Sequence, residues 1–131
     1  MTRFVIGSDV ALHLAQNRVA VSPDHSLLAP ALLRSHVLSL LYRAVRNGEL
    51  TRADADRQLA HVRGLRLRLL GDRVLQATAW KVADQLGWPD TLDAEYVALA
   101  QLQADALITL DPRLAREAAD VVRVEGLDAL R

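Results

Sequence analysis

The sequence predicts an α/β domain of three layers, with helices on both faces of a mainly parallel sheet, and three observations predict it. Short aliphatic runs alternate with amphipathic stretches, and strands separated by helices need crossover connections, which leave neighbouring strands parallel. The chain has 131 residues, 51% of them apolar, enough for one domain (1–131) with a sizeable core and too few for a second. Only five residues are aromatic, and an interior of Leu, Ala and Val suits helices packed on a sheet better than a sandwich or a barrel.

In chain order, Phe4-Val5-Ile6 reads as a buried first strand ended by Gly7-Ser8-Asp9. A short helix follows over 10–17, capped by Ser8 or Asp9. Residues 18–29, with Pro23-Asp24, read as a loop, and Pro30 opens a helix whose Leu33, Val37, Leu40, Leu41 and Ala44 share one face. Asn47-Gly48 ends that helix. Thr51 with Asp54 three residues on resembles a capping box and starts a third helix through about His61. Leu65–Leu70 alternates Leu with Arg as a short or edge strand, and Asp72 caps a fourth helix that Gly87-Trp88-Pro89 terminates. A fifth helix runs from near Asp90 to about Gln103. Ala106–Leu110 is a strand, Pro112–Ala118 a helical turn, Val121–Val124 a strand, and the end is short and helical.

Cysteine is absent, which excludes disulfides, thiolate nucleophiles and zinc-thiolate centres. The first ten residues lack a basic leader with an apolar run, and no segment approaches the roughly 18 apolar residues of a membrane span, so a cytoplasmic protein without membrane contact is expected. Sixteen basic and sixteen acidic residues cancel, but unevenly. Between Arg43 and Arg73 eight arginines face four acids; between Asp90 and Asp120 seven acids face Arg113 and Arg116. This polarity suits an acidic cation site beside a basic surface for a polyanion, or else ordinary solvated helix faces.

The most informative stretch is Asp93–Asp111, DAEYVALAQLQADALITLD. It places one acid at a helix start and another at the carboxyl end of a short strand, where ligands and metals gather in α/β proteins. Each acid also has a plain reading. Asp90 and Asp93 suit the cap and first turn of a helix, and Asp111 before Pro112 suits the cap of the next.

Thr91-Leu92-Asp93-Ala94-Glu95-Tyr96-Val97-Ala98-Leu99-Ala100, followed by Ala106-Leu107-Ile108-Thr109-Leu110-Asp111, resembles the C-terminal pattern of PIN-domain proteins, particularly VapC-type toxins. There an Asp is followed three residues on by Tyr or Phe, then by a small-residue helix and a strand ending in Thr-x-Asp. Leu28-Ala29-Pro30-Ala31-Leu32-Leu33 resembles that family's entry into its second helix, and Phe4-Val5-Ile6 its first strand. The resemblance implies a PIN-like fold and an endoribonuclease that holds Mg²⁺ or Mn²⁺ on three or four carboxylates. Hard divalent cations take oxygen ligands, and the metal activates water and offsets charge on the scissile phosphate. Carried over, Asp93 and Asp111 become metal and catalytic carboxylates, Thr109 a neighbouring hydroxyl for substrate, and Tyr96 a packing residue. Arginines of the 43–73 region, Arg73 among them, would grip RNA phosphates. A cognate antitoxin and a homodimer are the implied partners.

Two positions depart from the pattern. Gly7 stands where the family's first aspartate closes the strand, and His36 where its second helix carries a glutamate. Asp9, two residues on, is either a helix cap or a replacement ligand. His36 is either a structural histidine on the Leu33–Val37–Leu40 stripe or a ligand for Mn²⁺ or a softer metal. Glu95 turns about 200° from Asp93 along the helix and faces away. The resemblance therefore implies either an active metal-dependent ribonuclease or a degenerate PIN domain that binds protein or RNA and cleaves little; the third reading is a plain α/β scaffold whose Asp93 and Asp111 are only caps.

Overall fold

The computed structural model describes residues 1–131. Its elements in order are β1 (Thr2–Ile6), α1 (Ser8–Asn17), β2 (His25–Pro30), α2 (Leu33–Arg46), α3 (Arg52–Gly64), β3 (Leu67–Leu70), α4 (Arg73–Leu86), α5 (Leu92–Gln103), β4 (Ala106–Ile108), α6 (Pro112–Ala118) and β5 (Val124–Glu125), with a 3-10 turn at Leu127–Leu130. The five strands form one sheet, ordered β3-β2-β1-β4-β5, and every pairing is parallel. From β1 the chain winds outward through β2 to β3, then returns to lay β4 on the other side of β1. That reversal puts a crevice between the carboxyl ends of β1 and β4, the place where open α/β sheets bind ligands.

β1 is buried at Phe4, Val5 and Ile6 because it is flanked on both edges and covered on both faces. α4 packs along α5, and α5 lies against β1, β2 and β4, while α1, α2 and α3 pack on one another. Between α4 and the sheet, α5 is buried at Ala94, Tyr96, Val97, Ala98, Leu99 and Ala100. Its alanines let the backbone approach the strands closely, and Val97 and Leu99 each contribute about 1.5–3 kcal/mol by burial. A core of 31 buried residues joins the central strands and all six helices into one apolar body.

Several helix ends follow the capping chemistry expected of them. The Thr51 side chain accepts from Asp54 N, Asp72 from Leu75 N, and Gly87 closes α4 in the left-handed region at φ 69°. Gly48, at φ 74°, turns the chain out of α2.

Four expectations need correction. The 18–29 loop contains most of β2, a strand between β1 and β3 that is buried at Leu27, Leu28, Ala29 and Pro30. Pro30 ends that strand rather than opening a helix; the next amide, Ala31 N, donates to Leu70 O, so the ring stands where the ladder is finishing. Neither Ser8 nor Asp9 caps α1: both lie inside it, and the cap is Gly7. The last strand begins at Val124 instead of Val121, because Val121 N and Val122 N both donate back to Ala118 O and extend the turn after α6.

Candidate active site

The carboxyl ends of β1 and β4 open into a cleft of about 170 Å³ lined by Gly7, Ser8, Asp9, His36, Asp93, Tyr96, Leu107, Thr109, Asp111 and Leu114. Five of the six residues singled out in the sequence therefore share one cavity, although they come from the starts of α1 and α5, the first turn of α2 and the loop after β4. Arg73 is not among them. It opens α4 and stands exposed on a separate surface with Gln76, Ala77, Trp80 and Lys81.

Asp9 is held by three donors. Its Oδ1 accepts from Val10 N at 2.8 Å, and its Oδ2 accepts from Leu110 N at 3.0 Å and from the Thr109 hydroxyl at 3.4 Å. The side chain thus folds back over the end of β1 and ties it to the end of β4. A Cβ on Gly7 would lie 2.5 Å from Asp9 Oδ1, well inside van der Waals contact. Asp9 consequently fills the space that a side chain at position 7 would need. It reaches that space from the first turn of a helix, not along a continued strand.

Asp111 lies three residues beyond β4 and caps α6, its Oδ1 accepting from Arg113 N at 2.9 Å and Leu114 N at 3.3 Å. The Asp111 amide donates to the buried Thr109 hydroxyl, so Thr109 links Asp111 to Asp9. Asp93, in the first turn of α5, pairs with Arg113 at 3.0 Å. The helix start there is Leu92, with Thr91 as cap, and Asp90 lies outside it, accepting from Leu92 N.

Sequence reading missed two contacts. His36 Nδ1 lies 3.1 Å from the Tyr96 hydroxyl, and the two rings stack with centroids 6.0 Å apart. Burial pushes the Tyr96 hydroxyl well above the usual tyrosine range; the Asp93, Asp9 and Glu95 carboxylates add to this, and a Ser8 hydrogen bond opposes it. Tyr96 is therefore a neutral donor. The Tyr96 hydroxyl and His36 Nδ1 share one hydrogen bond in the cleft wall. The second contact is a chain on α6. Arg113 also donates to Glu117 at 2.9 Å, and Glu117 accepts from Trp88 Nε1 at 2.8 Å. Trp88 and Arg113 together hold Glu117 below the usual carboxylate range. The four-residue spacing of Arg113 and Glu117 was visible in sequence as a helical ion pair; Trp88 and Asp93 as their further partners were not.

The donor set suits a hard cation, since Asp9, Asp93 and Asp111 offer carboxylate oxygens to one cavity. The spacing is looser than a preformed cage, and no three Asp, Glu or His side chains come close enough to share one ion. Asp111 makes its capping bonds through Oδ1, leaving Oδ2 for another partner, and the Asp93–Arg113 pair is about half exposed and so exchangeable.

An all-parallel five-stranded sheet flanked by six helices, with acids at the switch between β1 and β4, defines a PIN-like α/β domain. In fold the chain is similar to PAE2754 from Pyrobaculum aerophilum, with a TM-score of 0.73 and 20% identity over 98% of this chain and 93% of that one. It is also similar to VapBC-1 from nontypeable Haemophilus influenzae (TM-score 0.64, 16% identity, 95% and 97% covered). A third likeness is to VapBC2 from Rickettsia felis bound to a promoter DNA fragment (TM-score 0.67, 9% identity, 95% and 98% covered). No family model matches the sequence. The proteins called Ribonuclease VapC3 in two strains of Mycobacterium tuberculosis are 41% identical over 88 residues, 67% of this chain. The aligned part spans 62% of those relatives' length. The chain is thus similar to VapC-type PIN-domain proteins in sequence over two thirds of its length and has a PIN-like fold.

Proposed function

We propose that this chain is a VapC-type toxin, an endoribonuclease that uses Mg²⁺ or Mn²⁺ and is restrained by a cognate antitoxin. The observation that carries the reading is the convergence of Asp9, Asp93 and Asp111 on one cleft at the switch point of the sheet. The 41% identity to proteins named ribonucleases supports it, and the VapBC complexes among the structural neighbours support an antitoxin partner.

Asp93 and Asp111 would be the metal carboxylates, and Asp9, above Gly7, would be the third only if the three draw closer together than they stand. The bound cation would lower the pKa of a water and offset charge on the scissile phosphate. Thr109 orients both Asp9 and Asp111, and any contact of its hydroxyl with substrate would be made from the cleft wall. His36, with Nδ1 on Tyr96, acts first as the residue that fixes Tyr96 in the cavity wall; as a ligand it would offer its other ring nitrogen, Nε2. Arg73 and the arginines of α2, α3 and β3 provide a basic surface for RNA phosphates.

Purified protein incubated with RNA and Mn²⁺ is expected to cleave it, and chelation is expected to stop the cleavage. RNA left intact at every Mn²⁺ and Mg²⁺ concentration would count against the enzyme. The second reading is a PIN domain that binds RNA or antitoxin and cleaves little. Gly7, His36 and the pairing of Asp93 with Arg113 favour it, because ligand number and charge set divalent affinity. Gly7→Asp with His36→Glu restores the family pattern, but the crowding at Gly7 requires Asp9→Ser as well. Strong cleavage by that triple variant beside a silent wild type would establish the second reading.

A further inference from the structure

Arg113 touches both carboxylates of the Asp93–Asp111 pair. Its backbone N–H donates to Asp111 Oδ1 at 2.9 Å, and its guanidinium donates to Asp93 Oδ2 at 3.0 Å. The guanidinium does not arrive there by chance of a mobile surface chain. Its other arm is held by Glu117 one helical turn on, and the second Glu117 oxygen is held in turn by Trp88. Trp88, Glu117, Arg113 and Asp93 thus form one line of hydrogen bonds that carries a fixed positive charge to the rim of the cleft. Arg113 and Asp93 are each about half exposed, so the pair can open.

We propose that Arg113 is a built-in counter-cation of the cleft, competing with the divalent ion for Asp93 and setting a low affinity for it. The inference rests on the reading of Asp93 as a metal carboxylate. The guanidinium occupies Asp93 Oδ2, so a cation entering the cleft finds only Oδ1 of that carboxylate free and meets like charge while Arg113 stays in place. Arg113 is a positioning residue in this account: it controls when Asp93 is free and need not touch the reacting atoms.

Calorimetric titration of the full chain with Mn²⁺ tests this without reference to activity. Arg113→Gln is expected to tighten the Mn²⁺ dissociation constant about three- to tenfold, the range expected from losing one half-exposed ion pair and one nearby positive charge. Arg113→Lys keeps the charge without the planar fork and is expected to fall between Arg113→Gln and wild type. Arg116→Gln removes the same charge from the exposed side of α6 and is expected to change affinity less than about twofold, through screening. Thermal unfolding of each variant confirms that the titrated protein is folded. Unchanged or weaker binding by Arg113→Gln would overturn the proposal, as would equal tightening by Arg116→Gln, while leaving Asp93 a metal residue. Absence of Mn²⁺ binding in wild type and all variants would remove the metal reading of the site and this inference with it.

Discussion

At Gly7 the backbone is extended, with φ −76° and ψ 167°, angles that any residue adopts, so only the Asp9 carboxylate excludes a side chain there. Gly7→Ala is therefore expected to displace the Asp9 carboxylate and cost about one hydrogen bond, roughly 0.5–1.5 kcal/mol, read as a lower urea midpoint. In an Asp9→Ser background Gly7→Ala should cost much less; an undiminished penalty there would mean that something other than Asp9 excludes the side chain. Tyr96 gives a second prediction, through pH. Its hydroxyl is raised above the ordinary value of 10.0, so the folded state keeps the proton that an unfolded tyrosine releases. The resulting stability is complete below about pH 10 and is lost as pH rises above it. Urea midpoints at neutral pH and at about pH 11 should differ less for Tyr96→Phe than for wild type. The identity of Asp93, Asp111 and Thr109 as neighbours was legible from spacing, because one helix and one strand fix their order. The placement of Asp9 was not, since its return over Gly7 depends on where α1 begins. The contact of His36 with Tyr96 joins residues 60 positions apart, and nothing local announces it.

Among the elements, those with strong local chemistry were legible. The Thr51 and Asp72 caps and the glycine stop at Gly87 marked α3 and α4 because each works within a few residues of its own position. β2 was hidden for the opposite reason. His25–Pro30 is short, built from Leu and Ala without β-branched residues, and ends in a proline that reads locally as a helix start; its parallel partners β1 and β3 alone make it a strand. Asp111 belongs to this scale as well, since it both caps α6 and lines the cleft. Asp111→Ala is expected to cost about 1 kcal/mol of stability and Asp111→Asn only a fraction of that, because Asn also caps. If Asp111→Asn keeps its thermal midpoint and loses RNA cleavage, the carboxylate has a role beyond the cap. Equal cleavage by Asp111→Asn and wild type would make capping its whole contribution.

Across the whole molecule the charge asymmetry of the sequence becomes a division of surfaces. Asp93 of α5 and Asp111 of the loop after β4 line the cleft, while none of the arginines of α2, α3 and β3 is among its lining residues. α2 and α3 also carry an apolar groove of about 450 Å³, lined by Leu33, Val37, Leu59, Val62 and Leu67 among others, which meets a second of about 250 Å³ at Leu38 and Leu59. Leu38 and Tyr42 stand 57% and 63% exposed beside it, more apolar surface than an isolated domain needs to show. Under the proposed assembly with an antitoxin, Leu38→Glu should weaken association at least tenfold in binding experiments and leave the thermal midpoint of the free protein nearly unchanged. Association as tight as wild type would place the partner elsewhere. No helix is long and apolar enough to cross a membrane.

The fold places the cleft at the sheet's switch point, and the proposed function requires the carboxylates there to do chemistry as well as cap helices. The initial rate of Mn²⁺-dependent RNA cleavage, compared between wild type and Asp93→Asn at equal folded concentration, tests this most directly. A fall of at least about 10²-fold is expected on losing one metal carboxylate. Cleavage by Asp93→Asn at the wild-type rate would contradict the account.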